Sequence, residues 1–368
     1  MGNKICCIFN LAPLYDAPIY KLMDQELNCD FFIGDRVSSE IKLMNYNELE
    51  GFKKVLKYKP IAGKFYWQRG ALNLAFKSYG HYIIIGEPYI ASSWFVLLVN
   101  RMLRKKTYSW THGWYGDETI VKKIIKKIYF GLANKVLVYG DYARNLMIRE
   151  GFKAKKIVSI YNSLDFDTQC KIRDKLKLTG IYSDHFHNEL PVLLYIGRIQ
   201  KSKKIELLIQ ALKILQNKGI TCNLIIIGKE VEETNLKDLV SERKLDNYVW
   251  FFGPCYEEST LGELIYNADV CISPGNVGLT AIHSLVYGTP VITHNNFSNQ
   301  GPEFEAIEKG RSGDFFEENV VNDLCDKISS WISLSFNERE RVRQNCFSIV
   351  SKKYNPHVQI EILKEVLT

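Results

Sequence analysis

The chain has 368 residues, 46% of them apolar and 24% charged, with a formal net charge of +7. A length beyond the roughly 250–300 residues at which a single core stops growing implies two domains. Ordinary Gly and Pro usage, 24 and 10 residues, excludes a collagenous or disordered chain.

In chain order, apolar runs predict strands at 5–9, 82–85, 107–111, 135–138, 157–160, 192–196, 222–227, 248–252, 270–273 and 291–293. Amphipathic stretches between them predict helices at 17–26, 91–103, 120–132, 142–150, 204–216, 231–243, 257–267, 279–287 and 322–331. Continuous apolar strands alternating with helices imply βαβ units and parallel sheets covered on both faces. The pattern runs twice, so the expected architecture is α/β with two doubly wound domains. The expected division is an N-terminal domain at 1–168, a polar linker at 169–190 and a C-terminal domain at 191–350. A final helix at 351–368 should pack back on the first domain.

The opening MGNKICCIFNLAPLY has one Lys before a short apolar run. It is too short for a secretory signal or a bilayer span and lacks the hydroxyl residue of a myristoylation site. Nine cysteines show no CxxC and no Cys/His cluster, which predicts reduced, mostly buried thiols. A cytoplasmic protein is expected.

Charge is uneven. Residues 51–130 carry fifteen Lys/Arg against three acids, a net +12, which leaves −5 elsewhere. In GFKKVLKYKP, NRMLRKKTYSW and IVKKIIKKIYFGL the cations stand beside Ile, Phe, Tyr and Trp. That pattern suits a peripheral contact with an anionic membrane surface; a solvated helix face is the plainer alternative. No nucleic-acid-binding motif accompanies the charge, so nucleic acid is not an expected partner.

Two segments carry the chemistry. In YIGRIQKSKKIELLIQAL a strand ends at Gly197, and Arg198 and Lys203 leave its carboxyl end, where anions bind in such sheets. Guanidinium and ammonium together can hold a departing diphosphate. In ADVCISPGNVGLTAIHSLVYGTPVITH a strand ends at Ser273-Pro274 and a loop opens into a helix, with Asn276, Gly278, Leu279 and Thr280 around the helix start. The N–H groups there offer a second anion site.

Together these segments resemble the retaining glycosyltransferases of family 4 (group 1), of the bacterial polysaccharide-biosynthesis type. Their GT-B fold sets two Rossmann-like domains about a central cleft. GRIQKSKK is similar to the family's Gly-Arg-Leu then Lys-Gly signature. IIIGKE, WFFGPCYEESTLGELIYNADVCISP and YGTPVI follow in the family's order and spacing. In the first half WTHG, VYGDYARN and IYNSLD are similar, less specifically.

The resemblance implies that Arg198 and Lys203 bind the donor diphosphate and that His112 lies near the donor sugar. Lys204 stands where the family has Gly. In the family's Glu–seven residues–Glu motif this chain has Gly275 at the first Glu and His283 at the second. His283 could keep the ribose hydrogen bond. The first Glu's role would pass to backbone, to Asn276, or to Glu303 or Glu305 in PEFEAI.

The implied function is transfer of a sugar, with retention, from a nucleotide-diphosphate donor (UDP- or GDP-linked) to an acceptor hydroxyl. A lipid-diphosphate-linked glycan precursor of cell-surface polysaccharide, such as capsule or O-antigen, is the expected acceptor. Asp165-Phe166-Asp167 is similar to the metal clamp of the other glycosyltransferase fold but lies at the interdomain junction. No metal and no cofactor are therefore expected. A catalytically silent sugar-nucleotide-binding subunit and a sugar-nucleotide epimerase are the alternatives.

Overall fold

A computed structural model describes residues 2–35 and 41–367. The chain forms two compact units, Met1–Asp165 with Asn355–Thr368, and Phe166–Tyr354. Each is built on a parallel sheet.

Among the described residues the first unit holds nine strands: β1 (Gly2–Phe9), β2 (Cys29–Gly34), β3 (Phe52–Leu56), β4 (Tyr58–Ala62), β5 (Phe65–Gln68), β6 (Tyr79–Ile85), β7 (Lys106–Thr111), β8 (Lys135–Val138) and β9 (Ile157–Ser159). Seven form one sheet in the order β3-β2-β1-β6-β7-β8-β9, and β4 and β5 make a separate antiparallel hairpin. Sequence patterning misses β2 and β3 for electrostatic reasons. Asp30 interrupts the apolar run of β2. It is tolerated in a buried strand because Lys4 (2.9 Å), Lys53 (3.3 Å) and the Tyr79 hydroxyl (2.6 Å) all converge on its carboxylate. In β3, Lys53, Lys54 and Val55 are exposed at the sheet edge, so no alternation survives.

The second unit holds β10 (Val192–Ile196), β11 (Asn223–Ile227), β12 (Val249–Gly253), β13 (Val270–Ser273), β14 (Val291–His294) and β15 (Gly313–Phe316). They form one sheet in the order β12-β11-β10-β13-β14-β15, and each pairing is parallel. The strands β11, β13 and β14 are buried throughout, which is why they read as continuous apolar runs. Helix 231–243 is shorter than expected: it spans Leu236–Glu242, after Asn235 in a left-handed conformation at φ 51°.

The segment 169–190, expected as a linker, is folded into the second unit. It carries most of helix Phe166–Arg173 and all of helix Ile181–Phe186. Tyr182 is buried and donates to the Leu264 carbonyl at 2.6 Å. Both helices are short and polar on their outer faces, so periodicity conceals them. The last helix, Pro356–Leu367, belongs to the first unit, where Ile360, Leu363 and Val366 share a core with Ile19 and Met23 of helix Ala17–Leu27. All nine cysteines are free and seven are buried. Among the described residues no helix is long and apolar enough to cross a membrane.

Candidate functional site

The strand order of the second unit places the site. From β10 the chain proceeds outward through β11 and β12, then returns to the other side of β10 as β13. Loops that leave β10 and β13 therefore diverge, and the crevice between them lies at the carboxyl ends of the strands, where open α/β sheets bind ligands. Residues 197–204 form one loop and 274–279 the other.

The two loops are joined through Lys203. Its Nζ donates to the Asn276 carbonyl and to Asn276 Oδ1, both at 2.7 Å. The Gly275 N–H donates to the Lys203 carbonyl at 3.0 Å. A Cβ on Gly275 would lie 2.4 Å from the Ser202 carbonyl oxygen and 2.8 Å from Lys203 Cα. Glycine at this position is thus a packing requirement of the Lys203 loop, and no carboxylate side chain fits there. Loss of hydration, with the like charge of Arg198, lowers the Lys203 ammonium to about 8, while Glu303 pulls the other way.

Arg198 is exposed. Its backbone is fixed by the buried Tyr195, whose hydroxyl donates to the Arg198 carbonyl at 2.9 Å. Gly197 donates its N–H to the Ile227 carbonyl at 3.0 Å, and the Thr280 hydroxyl donates to the Ile196 carbonyl at 3.1 Å. These bonds pin both loops to the end of β10. Lys204 has φ 52°, the left-handed region that favours glycine, which accounts for the glycine in the related motif. Here its Nζ reaches Glu318 and Asn319, both at 2.7 Å. That bond from Lys204 holds the Glu318 carboxyl down to about 2.

Glu303 and Glu305 separate clearly. Glu303 is buried at 4% exposure within the short 3-10 turn Pro302–Ala306, whereas Glu305 is half-buried. The Glu303 carboxylate lies beside Gly301, whose added Cβ would stand 2.8 Å from Oε2 and 3.0 Å from Gly278 Cα. It also acts electrostatically on Lys203. Gln300 braces this turn: Oε1 accepts from the Val277 N–H at 2.9 Å and Nε2 donates to the Thr293 hydroxyl and the His294 carbonyl, each at 2.9 Å. Gly278 has φ 55°, so glycine also serves the turn itself.

His283 lies within the seven-residue helix Thr280–Val286, where its N–H donates to the Leu279 carbonyl at 3.0 Å. Its Nε2 is 2.9 Å from Glu258 Oε1. The same carboxylate accepts from the Tyr287 hydroxyl at 2.8 Å and from Gln169 Nε2 at 3.0 Å. Burial opposes ionisation of Glu258, but these bonds, led by that of His283, outweigh it and hold the carboxyl below its usual range. An ionised carboxylate accepts only, so Nε2 of His283 is the donor and Nδ1 remains the acceptor in the neutral ring. Nε2 is therefore unavailable to a ribose.

His112 belongs to the first unit, just past β7. The ring lies against Tyr139 (centroids 5.0 Å apart) and Tyr115 (6.2 Å). Local loss of hydration and the nearby Lys126 ammonium hold the imidazole below its ordinary range, so it is neutral at pH 7. The loop after it is clamped from helix Ile120–Leu132. Lys126 Nζ donates to the Gly113 carbonyl at 2.9 Å and pairs with Glu118 at 2.6 Å, and Glu118 accepts from the N–H groups of Tyr115 and Gly116 at 2.8 and 3.0 Å.

Beside the 197–204 loop, a cavity of about 740 Å³ opens at the ends of β10, β11 and β12, lined by Ile199, Gly228, Glu230, Phe251, Gly253 and Pro254 among others. Among the described residues no three His, Cys, Asp or Glu side chains are grouped so as to hold a metal ion.

Residues 183–347 match the family described as Glycosyl transferases group 1. The chain carries a group 1 glycosyltransferase domain. It is 23% identical over 282 residues to an uncharacterised 41.2 kDa protein in the cps region of Klebsiella pneumoniae, covering 72% of this chain and 74% of that one. A Staphylococcus aureus capsular polysaccharide biosynthesis glycosyltransferase, CapM, is 22% identical over 268 residues, 68% of this chain and 66% of the relative. A D-inositol 3-phosphate glycosyltransferase of Arthrobacter is 26% identical over 212 residues, 52% of this chain, and the match spans about half, 48%, of that protein. Among solved structures, the Anabaena protein HepE in complex with UDP superposes with a TM-score of 0.74 at 14% identity, covering 99% of both chains. The two parallel-sheet α/β units are those of the GT-B fold.

Within this glycosyltransferase domain the structure brings together Gly197, Arg198, Lys203, Asn276, Gly278, Thr280 and Glu303 at the switch point between β10 and β13. Glu305 is half-buried in the same turn as Glu303, and His283 is engaged with Glu258. Sequence reading misses Glu258, Gln300 and Tyr195. The YEEST segment shows that a carboxylate starts helix Glu258–Asn267, but its partner His283 lies 25 residues away, beyond any local pattern.

Proposed function

We propose that the chain transfers a sugar from a nucleoside diphosphate donor, UDP- or GDP-linked, to an acceptor hydroxyl with retention of configuration and without a bound metal. The observation that carries the reading is the crevice in which Arg198 and Lys203 stand at the switch point, with Lys203 held by Asn276 and sensing the buried Glu303. On this reading negative charge develops on the departing diphosphate as the glycosidic bond breaks, and two cations already in place stabilise it. The donor phosphates displace Asn276 from Lys203, and the ammonium is then fully charged. Glu303 takes the place of the carboxylate that Gly275 cannot supply and faces the donor sugar. The cavity beyond Ile199 receives the nucleoside; the UDP held by the Anabaena relative supports this class of donor.

The acceptor on this reading is a lipid-diphosphate-linked precursor of cell-surface polysaccharide, met at the cytoplasmic face of the membrane. Similarity to a capsular polysaccharide glycosyltransferase supports the pathway class. The test is release of nucleoside diphosphate when a panel of UDP- and GDP-sugars is mixed with the chain and polyprenyl-diphosphate sugar acceptors. Turnover with one donor, lost on Lys203→Ala, is expected. Donor binding without turnover for every acceptor would make the chain a silent subunit.

A further inference from the structure

We propose that the outer face of two adjacent helices in the first unit, Ala91–Met102 and Ile120–Leu132, inserts into the interfacial layer of an anionic lipid bilayer. This deepens the reading that the acceptor is lipid-linked, and rests on it only for its purpose. Val96, Leu97, Tyr129 and Phe130 bury the inner faces of both helices in one core. The helices touch through the Trp94 and Tyr129 rings, 4.9 Å apart, and through Ser93 Oγ and the Tyr129 hydroxyl at 2.8 Å.

Their outer faces are apolar as well. On the second helix Ile120 (76% exposed), Val121, Ile124 and Ile128 (57%) recur at one, four and eight positions from the first. On the other, Phe95 (49%), Leu98 and Met102 (75%) follow at three and seven, with exposed Leu103 next. An ordinary surface helix is polar on that side. Eight large apolar side chains on neighbouring stripes are more than the scattered single exposures normal for a protein surface.

Three of the four lysines of the second helix do not supply the attraction expected of them. Lys123 and Lys127 pair with Glu150 at 2.5 and 3.3 Å, and Lys126 with Glu118 at 2.6 Å. Arg101, Arg104 and Lys122 are exposed on or next to the same helices, as are Lys106 and the paired Lys127. An apolar centre with a cationic rim matches the boundary between acyl chains and anionic headgroups. A second copy of this face would set the same cations against one another, and residues 51–130 hold only three acids. Binding is thus mainly apolar, with a smaller Coulombic share.

The test uses the full chain and sedimentation with vesicles of phosphatidylglycerol and phosphatidylcholine in equal parts, at low and high salt. The expected result is binding that largely survives high salt and falls at least about tenfold in Ile120→Ser/Ile124→Ser/Ile128→Ser, while Lys123→Gln/Lys127→Gln keeps it. Phe95→Ser/Met102→Ser, on the other helix, should show the same loss, so a folding defect in one variant leaves a second readout. Nucleoside diphosphate release with a water-soluble acceptor should be unchanged in the serine variants. Lost turnover in the parent chain would sink the transferase reading alone, and retained turnover without vesicle binding would sink the docking face alone. Vesicle binding equal in parent and serine variants overturns the proposal. So does a dimer in light scattering that the serine variants abolish.

Discussion

Glu258 and His283 share a hydrogen bond of 2.9 Å between a carboxylate and an imidazole, in the place where related motifs put a carboxylate at position 283. The carboxylate of Glu258, further bound by Tyr287 and Gln169, is already next to that ring. His283→Glu would therefore set two carboxylates about 3 Å apart, where both cannot ionise at ordinary cost. This variant should be less stable than His283→Ala at pH 7, by about 1–3 kcal/mol. The folded-state pKa of the pair is raised, so the penalty is absent below the unfolded carboxyl value near 4 and grows as pH rises. Melting temperatures of both variants at pH 5 and pH 7 check this; an equal gap at the two pH values would refute it.

Gly275→Ala tests the packing of the two loops. The added methyl meets the Ser202 carbonyl and Lys203 Cα at distances that real Cβ atoms do not adopt, so the Lys203 loop must shift. Turnover should fall by at least about tenfold, because a displacement near 1 Å at a reacting centre has effects of that order or more. Melting temperature should fall as well. Unchanged donor KM and kcat would show that the loop tolerates the methyl.

Lys203 gives a pH signature. Its folded pKa of about 8 lies below the ordinary lysine value, so the folded chain releases this proton before the unfolded chain does. The contribution to stability therefore rises with pH between about 8 and 10.5. The donor needs the charged form, so kcat/KM for the donor should decline above about pH 8. Lys203→Met should lose about two orders of magnitude in turnover, keep or raise the melting temperature at pH 7, and flatten that stability rise. Arg198→Ala should lose a similar factor in turnover. A Lys203→Met variant that is less stable and still active would contradict both assignments.

Glu303→Gln should lower kcat by about ten- to a hundredfold, the scale of one positioned hydrogen-bonding or electrostatic group. Glu305→Gln should stay within about twofold, a small fraction of the worth of one hydrogen bond. The comparison is made by steady-state kinetics at saturating donor. A reversed ranking would move the missing carboxylate to Glu305.

In the first unit, Lys126→Ala removes the cation from an almost fully buried Glu118 and from the Gly113 carbonyl. The expected loss is about 2–3 kcal/mol, since Glu118 retains two backbone donors. That corresponds to a drop of roughly 4–10 °C for a unit of this size. Reversal of exposed Lys122 to Glu should leave the melting temperature within about 1 °C.

The sequence by itself determined the two-fold α/β alternation and the strands β8, β10 and β13 to the residue. It also determined that Arg198, Lys203 and the Gly278 turn leave strand ends. Buried parallel strands are continuous apolar runs, and loops at their carboxyl ends carry charged and glycine residues whose types are visible one by one. Only the tertiary structure decided which of these residues meet. Asp30 was legible as a charge and not as a strand residue, because Lys4, Lys53 and Tyr79 approach it from other strands. The reason for Gly275 is the backbone of Ser202 and Lys203, more than seventy residues earlier. The lysines of helix Ile120–Leu132 read as a basic face until Glu118 and Glu150 are seen to take three of them. Periodicity reports which side of an element avoids water; a charge's partner is fixed by how distant elements pack, and that information is not local.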